Sequence, residues 1–180
     1  MTDYKKFILD VKDYPKPGIL FKDLSPLWNN PEVFNQMIKD LCKPWKNENF
    51  LDGTPIDLIA SIESRGFIMG SAMAHHLGCG FVPLRKPNKL PRETYSESFD
   101  LEYGSTEIHI HKDAITDENI LIADDLLATG GTAIAAYNLL KRFPNATIMG
   151  FSFIVSLNFL KGSWILKQSG LPVETLVEYE

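Results

Sequence analysis

The chain has 180 residues, 44% hydrophobic and 23% charged, a balance that excludes a disordered or low-complexity chain. At roughly 150 residues per domain, it reads as one domain over residues 1–180. Eighteen basic against 23 acidic side chains leave a net charge of −5, so a fold-wide basic footprint for nucleic acid is excluded, although a local patch is allowed. The longest apolar runs, near Ile56–Ile62 and Ile148–Val155, fall far short of the ~20 residues of a membrane span. The opening Met-Thr-Asp-Tyr-Lys-Lys lacks signal-peptide character. Cys42 and Cys79 are too few for a metal cage or a disulfide framework; two reduced thiols in a cytoplasmic protein are expected.

Along the chain, Phe7, Ile8 and Val11 recur at helical spacing, predicting a helix over Tyr4–Val11 that Pro15 and Pro17 end. Residues 17–23, Pro-Gly-Ile-Leu-Phe-Lys-Asp, read as an irregular extended segment of unusually apolar content. Phe21 there is either a stacking surface for a flat heterocycle or core filling. Asn30 as N-cap and Pro31 at the first helical position open a helix. Val33, Phe34, Met37, Ile38 and Leu41 stripe it, and Pro44 closes it. Ile56–Ile62 is a buried-strand run, followed by Glu63-Ser64-Arg65-Gly66 and an apolar helix from Phe67 to Leu77 that Gly78 terminates. Phe81–Leu84 is a strand that Pro83 assigns to an edge or an end. Residues 85–98 are polar and aperiodic, as in a functional loop.

Glu107–His111 alternates like a half-exposed strand. His109 and His111 share one side of it but lack a third ligand, and read as surface residues. Asn119–Ala123 is a buried strand, Asp124–Gly131 a turn and Thr132–Arg142 a helix, with further strands at Ala146–Val155 and Val173–Tyr179. Strands alternating with helices predict an α/β fold with a mainly parallel central sheet flanked by helices.

Ile120–Thr132 carries the most chemistry. A buried strand ends in Asp124 and Asp125, passes through a turn of small and hydroxyl residues, and enters a helix. Helix N-terminal amides favour an anion, and Gly130 and Gly131 allow a phosphate to approach the backbone. Two carboxylates beside a phosphate cradle make sense if they accept hydrogen bonds from sugar hydroxyls, or sit near a divalent cation. The pattern describes a ribose 5-phosphate site. It is neither a P-loop nor a dinucleotide fingerprint, since the lysine and the glycine spacing are wrong. Amides of Glu63-Ser64-Arg65-Gly66, between strand and helix, offer a second anion site, with Arg65 either adding charge or forming a surface ion pair. Arg85, Lys86 and Lys89 place three cations within five residues.

Ile120–Thr132 resembles the 5-phosphoribosyl 1-diphosphate (PRPP) motif of the type I phosphoribosyltransferases, and Asp-Asp-Leu-Leu-Ala-Thr-Gly-Gly-Thr resembles the spelling of the adenine-specific members. Pro17–Pro26 is similar to that family's N-terminal base-recognition segment, which spans residues 1–30 here. Glu63–Phe67 resembles its second turn, Arg85–Pro91 its basic loop and Leu101–Gly104 the end of that loop. The matches fall in family order over nearly the whole chain.

The resemblance implies a type I phosphoribosyltransferase-like fold with a mobile lid over residues 85–104. It implies transfer of 5-phosphoribose from PRPP to adenine, giving AMP and diphosphate. PRPP and AMP would be bound by Asp124, Asp125, Ala128, Thr129, Gly130, Gly131, Thr132, Ser64, Arg65, Arg85, Lys86 and Lys89. Adenine would lie among Leu20, Phe21, Lys22 and Leu157, and Glu102 and Tyr103 at the lid end would serve catalysis. Mg²⁺ would arrive with PRPP, without protein ligands of its own. A cytoplasmic homodimer that binds small molecules, and neither nucleic acid nor membrane, is implied as well. Two positions depart from the family: Ser156 stands where Glu is usual, and Gly162-Ser163 where Gly-Arg is usual. Two other readings share the fold. One is a non-catalytic PRPP- or purine-sensing regulator, which the net charge and the lack of room for a helix-turn-helix domain count against. The other is a phosphoribosyltransferase for another base, with Lys22 aimed at a carbonyl.

Overall fold

The structure is a computed structural model describing residues 2–46, 53–101 and 104–180, without the side chains of residues 100, 101 and 104. After a 3-10 turn at Tyr4–Phe7, β1 (Leu9–Lys12) and β2 (Leu20–Asp23) form an antiparallel hairpin with Val11 opposite Phe21. The helix expected over Tyr4–Val11 is therefore a turn and a strand. Of Phe7, Ile8 and Val11, Ile8 is buried but Val11 is exposed, so their spacing marks no buried helical face; β2 supplies the backbone partners of Leu9–Lys12 instead. The segment expected to be irregular is in part that second strand.

A short helix, α1 (Ser25–Asn29), leads into α2 (Pro31–Cys42), where Asn30 Oδ1 accepts from the N–H groups of Glu32 and Val33, both at 3.1 Å. This is the N-cap expected from the sequence. Then follow β3 (Leu58–Ile62), α3 (Gly66–Leu77, ended by Gly78) and β4 (Gly80–Leu84), with β5 (Thr94–Leu101) and β6 (Gly104–His111) as a second hairpin. The rest is β7 (Asn119–Leu127), α4 (Gly131–Leu140), β8 (Thr147–Leu157), α5 (Gly162–Lys167) and β9 (Val173–Tyr179).

Five strands make one parallel sheet in the order β4-β3-β7-β8-β9. Alternate residues of β7 feed two cores. Leu121 and Ala123 join Met69 and Met73 of α3 on one face, and Ile120 and Ile122 join Leu139 and Leu140 of α4 on the other. From β3 the chain winds out to the β4 edge; from β7 it winds the other way, through β8 to β9. The crevice beyond the carboxyl ends of β3 and β7 is thus a topological switch point, the usual ligand position of an open α/β sheet.

Two boundaries differ from expectation. The turn expected at Asp124–Gly131 shrinks to Ala128–Gly130, because β8 runs long enough to pair Asp124 with Phe153 and Leu127 with Ser156. The stretch expected to be a polar, aperiodic loop holds β5, which pairs with β6 from Thr94↔His111 to Leu101↔Gly104. Its aromatic residues share one strand face, four positions apart: Tyr95 and Phe99 pack on the α4-side core, and Tyr95 meets Phe143 edge-on at 5.5 Å. Arg142, just past α4, reaches Glu97 at 3.2 Å. Among the described residues, no helix is long and apolar enough to cross a membrane, and Cys42 and Cys79 are unbridged.

Candidate active site

The parallel register of β3 and β7, with Ser61 beside Ala123, brings the two expected anion turns together. Asp124 Oδ1 accepts from the Asp125 N–H at 2.9 Å and packs on the first residue of α3: a Cβ at Gly66 would stand 2.5 Å from it. Asp125 is buried, with Arg65 Nε 2.7 Å from its Oδ2. Desolvation, then the charge of Asp125, pushes the Asp124 carboxyl well above the usual carboxylate range. Asp125 is also raised by desolvation, but Arg65 pulls against the shift. A site that keeps two adjacent carboxyls in this state is poised for a ligand that satisfies them with hydroxyls or positive charge.

Beyond them the chain turns at Gly130, whose φ of +87° is left-handed, a conformation that glycine adopts without steric cost. The Gly130 carbonyl accepts from Ile134 N–H at 2.9 Å, so α4 is wound directly from the turn. A contact from far along the sequence clamps the turn: Gly162 N–H donates to Ala128 O at 3.1 Å. A Cβ on Gly162 would collide with that same carbonyl oxygen, and one on Gly130 would stand 3.2 Å from Gly162 Cα. Arg65, Asp124, Asp125 and all of Ala128–Thr132 line a single cleft of about 250 Å³, joined by Phe153 on its floor.

The other expected residues that the structure describes lie outside that cleft. At the carboxyl end of β4, Arg85 donates from Nε and Nη2 to Glu63 at 3.3 and 3.4 Å, and from Nη1 to Lys89 O at 3.2 Å. The Lys86 N–H also donates to Glu63, at 2.9 Å. Desolvation raises the Glu63 carboxyl, but these donors outweigh it and hold it below its ordinary value. Ser64, Lys86 and Lys89 are exposed. Phe21 is half-buried beneath the Arg65 guanidinium, whose carbon lies 4.9 Å from the ring centroid, and meets Tyr14 edge-on at 5.1 Å. Leu20 is exposed, whereas Leu157 is buried at the end of β8. The Lys22 ammonium is taken up by Asp10 at 2.6 Å. Glu102 and Tyr103 lie outside the described residues.

The sequence alone does not tie Gly162 to the Ala128–Gly130 turn. No local motif marks it, because its role is to pass close to a strand end more than thirty positions earlier. At Ser156, where the resembling family usually has Glu, the hydroxyl donates to Asn158 at 2.8 Å, and Asn158 in turn donates to Glu178 at 3.1 Å. Glu178 is the residue paired with Ser156 across the sheet.

Comparison with known proteins agrees with this geometry. Residues 34–151 match the phosphoribosyl transferase domain family. The chain is 44% identical over 177 residues to the adenine phosphoribosyltransferase of Methylobacterium radiotolerans, covering 98% of this chain and 94% of that one. The crystal structure of the Rhodothermus marinus adenine phosphoribosyltransferase is similar with a TM-score of 0.88 at 41% identity, covering 98% of this chain and 96% of the other. The Saccharomyces cerevisiae enzyme, crystallised with an imino-altritol bisphosphate and adenine, gives 0.88 at 40% identity, covering 97% and 96%. The chain belongs to the phosphoribosyltransferase family, among the adenine phosphoribosyltransferases.

Proposed function

We propose that the protein transfers the 5-phosphoribosyl group of PRPP to adenine, forming AMP and releasing diphosphate. One observation carries the reading: Arg65 touches Asp125 on one side and the Phe21 ring on the other. A single guanidinium thus separates a sugar-phosphate cleft from an aromatic platform, the adjacency that forming a bond between a ribose carbon and a base nitrogen requires.

In this reading the amides and hydroxyls of Ala128–Thr132 hold the 5-phosphate at the N-terminus of α4. Asp124 and Asp125 accept from the ribose 2- and 3-hydroxyls. Ser64 and Arg65 face the diphosphate, and Arg85, Lys86 and Lys89, at the neighbouring strand end, complete its counter-charge. Adenine stacks between Phe21 and Leu157, with backbone groups of Leu20 and Lys22 along its edge. The C1–O bond to diphosphate breaks as the bond from the base nitrogen to C1 forms, and positive charge is shared with the ring oxygen. Catalysis consists of positioning the reactants and neutralising the leaving group. The engagement of Lys22 with Asp10 favours adenine over a 6-oxopurine, whose carbonyl would call for a cationic donor at the base edge.

The paired carboxyls, both raised by desolvation and Asp124 further by the charge of Asp125, suit a neighbouring divalent cation. Mg²⁺ brought by PRPP on its own diphosphate and ribose oxygens, with waters, would neutralise leaving-group charge there. The homodimer and the cytoplasmic location implied by resemblance belong to the same reading. A panel of adenine, hypoxanthine, guanine and orotate with PRPP and Mg²⁺, resolved by chromatography, should yield AMP and little other nucleotide. Product formation from hypoxanthine or guanine at the adenine rate would overturn the base assignment.

Glu102 and Tyr103 are assigned to the junction of base and sugar, where a carboxylate relieves adenine of its imidazole proton as the other nitrogen bonds to C1. Glu102→Gln should then depress kcat far more than either KM. Near-normal single-turnover chemistry in that variant would remove Glu102 from catalysis.

A further inference from the structure

We infer that Lys22 and Tyr179 form a clasp that sets the spacing of the adenine slot, which makes Tyr179 a positioning residue for the base. The inference rests on the reading of Phe21 and Leu157 as the walls of that slot.

The β1–β2 hairpin is not held down by apolar burial. Every residue of β1 is exposed, as are Ile19 and Leu20. Between Ile8 and Leu24, the one buried residue is Lys22. A cation therefore does the anchoring. Lys22 is 6% exposed, with Nζ 2.6 Å from Asp10 Oδ1 and 3.8 Å from the centroid of the Tyr179 ring. A buried ammonium needs a counter-charge and surroundings that tolerate it, and the negative face of an aromatic ring provides the second. Asp10 is paired with Lys22 inside the hairpin, so that contact ties the hairpin only to itself. Of the two contacts of the Lys22 ammonium, the one with Tyr179 leads outward, beside the contact of Phe21 with Arg65.

Tyr179 closes β9 and is paired with Leu157, the last residue of β8. Phe21 immediately precedes Lys22. One cation–ring contact thus connects the two proposed walls: Phe21 through the backbone of β2, and Leu157 through the β8–β9 ladder. Lys5, from the turn before β1, places a second ammonium 5.1 Å from the same ring centroid. The contact between the Lys22 ammonium and the Tyr179 ring is made by side chains distinct from the backbone groups assigned to the adenine edge; it acts by fixing how far apart the walls stand.

Tyr179→Leu should raise the KM for adenine roughly tenfold, the effect expected for loss of a desolvated cation–ring contact. The KM for PRPP should stay within about twofold, because the phosphate turn and the carboxylates are on other elements. Lys22→Met should behave alike, whereas Tyr179→Phe keeps the ring face and should restore the adenine KM. Amide hydrogen exchange over residues 9–23 should quicken in Tyr179→Leu and not in Tyr179→Phe. Equal rises in both KM values, a Phe variant as impaired as Leu, or faster exchange at an unchanged adenine KM would each overturn the clasp. If the unaltered protein makes no AMP from adenine, the purine panel has already refuted the functional reading. Hydrogen exchange then decides on its own whether Tyr179 holds the hairpin.

Discussion

Gly130→Val should cost the protein its measurable affinity for AMP while leaving the sheet folded. Valine at a φ of +87° is strained by about 1–3 kcal/mol. Its Cβ would also press on the Gly162 backbone, 3.2 Å away at Cα, so relief must come from opening the turn. The turn is the phosphate cradle of the proposed site, and opening it disperses amides that act only when they converge. Losing two hydrogen bonds to a charged group, at about 1.5–3 kcal/mol each, weakens binding by roughly two to four orders of magnitude. Calorimetric titration with AMP measures this, with circular dichroism as the control for folding. Gly162→Ala attacks the same turn from the opposite side, since its Cβ would meet the Ala128 carbonyl, and should lose AMP in parallel. Undiminished AMP affinity in a folded Gly130→Val protein would place the 5-phosphate elsewhere.

The sheet was legible in the sequence where burial on both faces forces a continuous apolar run. Ile59, Ala60, Ile120, Ile122, Phe151 and Phe153 are all buried in strands β3, β7 and β8, and such runs stand out without any partner being known. The hairpins were not legible in the same way. Val11 belongs to a strand only because Phe21 lies opposite it, and the spacing of Phe7, Ile8 and Val11 reads equally well as one face of a helix. In β5, Glu97 stands between Tyr95 and Phe99 on the same face of the strand, where Arg142 meets it, and that carboxylate hid the apolar alternation. The far end of β7 extends to Leu127 because β8 is long, and neither fact is visible within Asp124–Leu127 itself.

The site divides along the same line. Asp124, Asp125 and Ala128–Thr132 are contiguous, so a strand, a turn and a helix N-terminus could be read together as a ribose-phosphate cradle. What completes the cleft comes from elsewhere in the chain: Gly162 against the turn, Phe153 on the floor, Arg65 between Asp125 and Phe21. Arg85 shows the converse. Its place in a basic cluster suggested a charge free for diphosphate, but in the unliganded fold Glu63 holds it. The carboxylate therefore competes for that guanidinium with any diphosphate that binds.

Asp124→Asn should make the unliganded protein more thermostable at neutral pH and at the same time cripple turnover. The carboxyl of Asp124 is held well above its ordinary pKa by desolvation and by Asp125, so ionising it costs more in the folded chain than in the unfolded one. For a group whose folded pKa is raised, the stabilisation is fully present below the unfolded value, about 3.9 for aspartate. It is lost as pH rises through the folded value. The unaltered protein should accordingly lose stability from about pH 4 upward until Asp124 is ionised, a loss that asparagine does not suffer. Asparagine keeps an oxygen for the Asp125 N–H, and it lets Asp125 ionise against Arg65 without a like charge beside it. Each unit of raised pKa corresponds to about 1.4 kcal/mol, and a kcal/mol to roughly 2–4 °C of melting temperature at this chain length. Melting curves of both proteins from pH 4 to pH 8 should coincide at the acid end and separate toward neutrality, with the variant above. Turnover should fall because the ribose hydroxyls lose an anionic acceptor used in both ground and transition states. A variant less stable than the parent at pH 7 would mean that the N-terminus of α3 stabilises the Asp124 carboxylate after all. A variant that is more stable and fully active would separate the strained carboxyl from the chemistry.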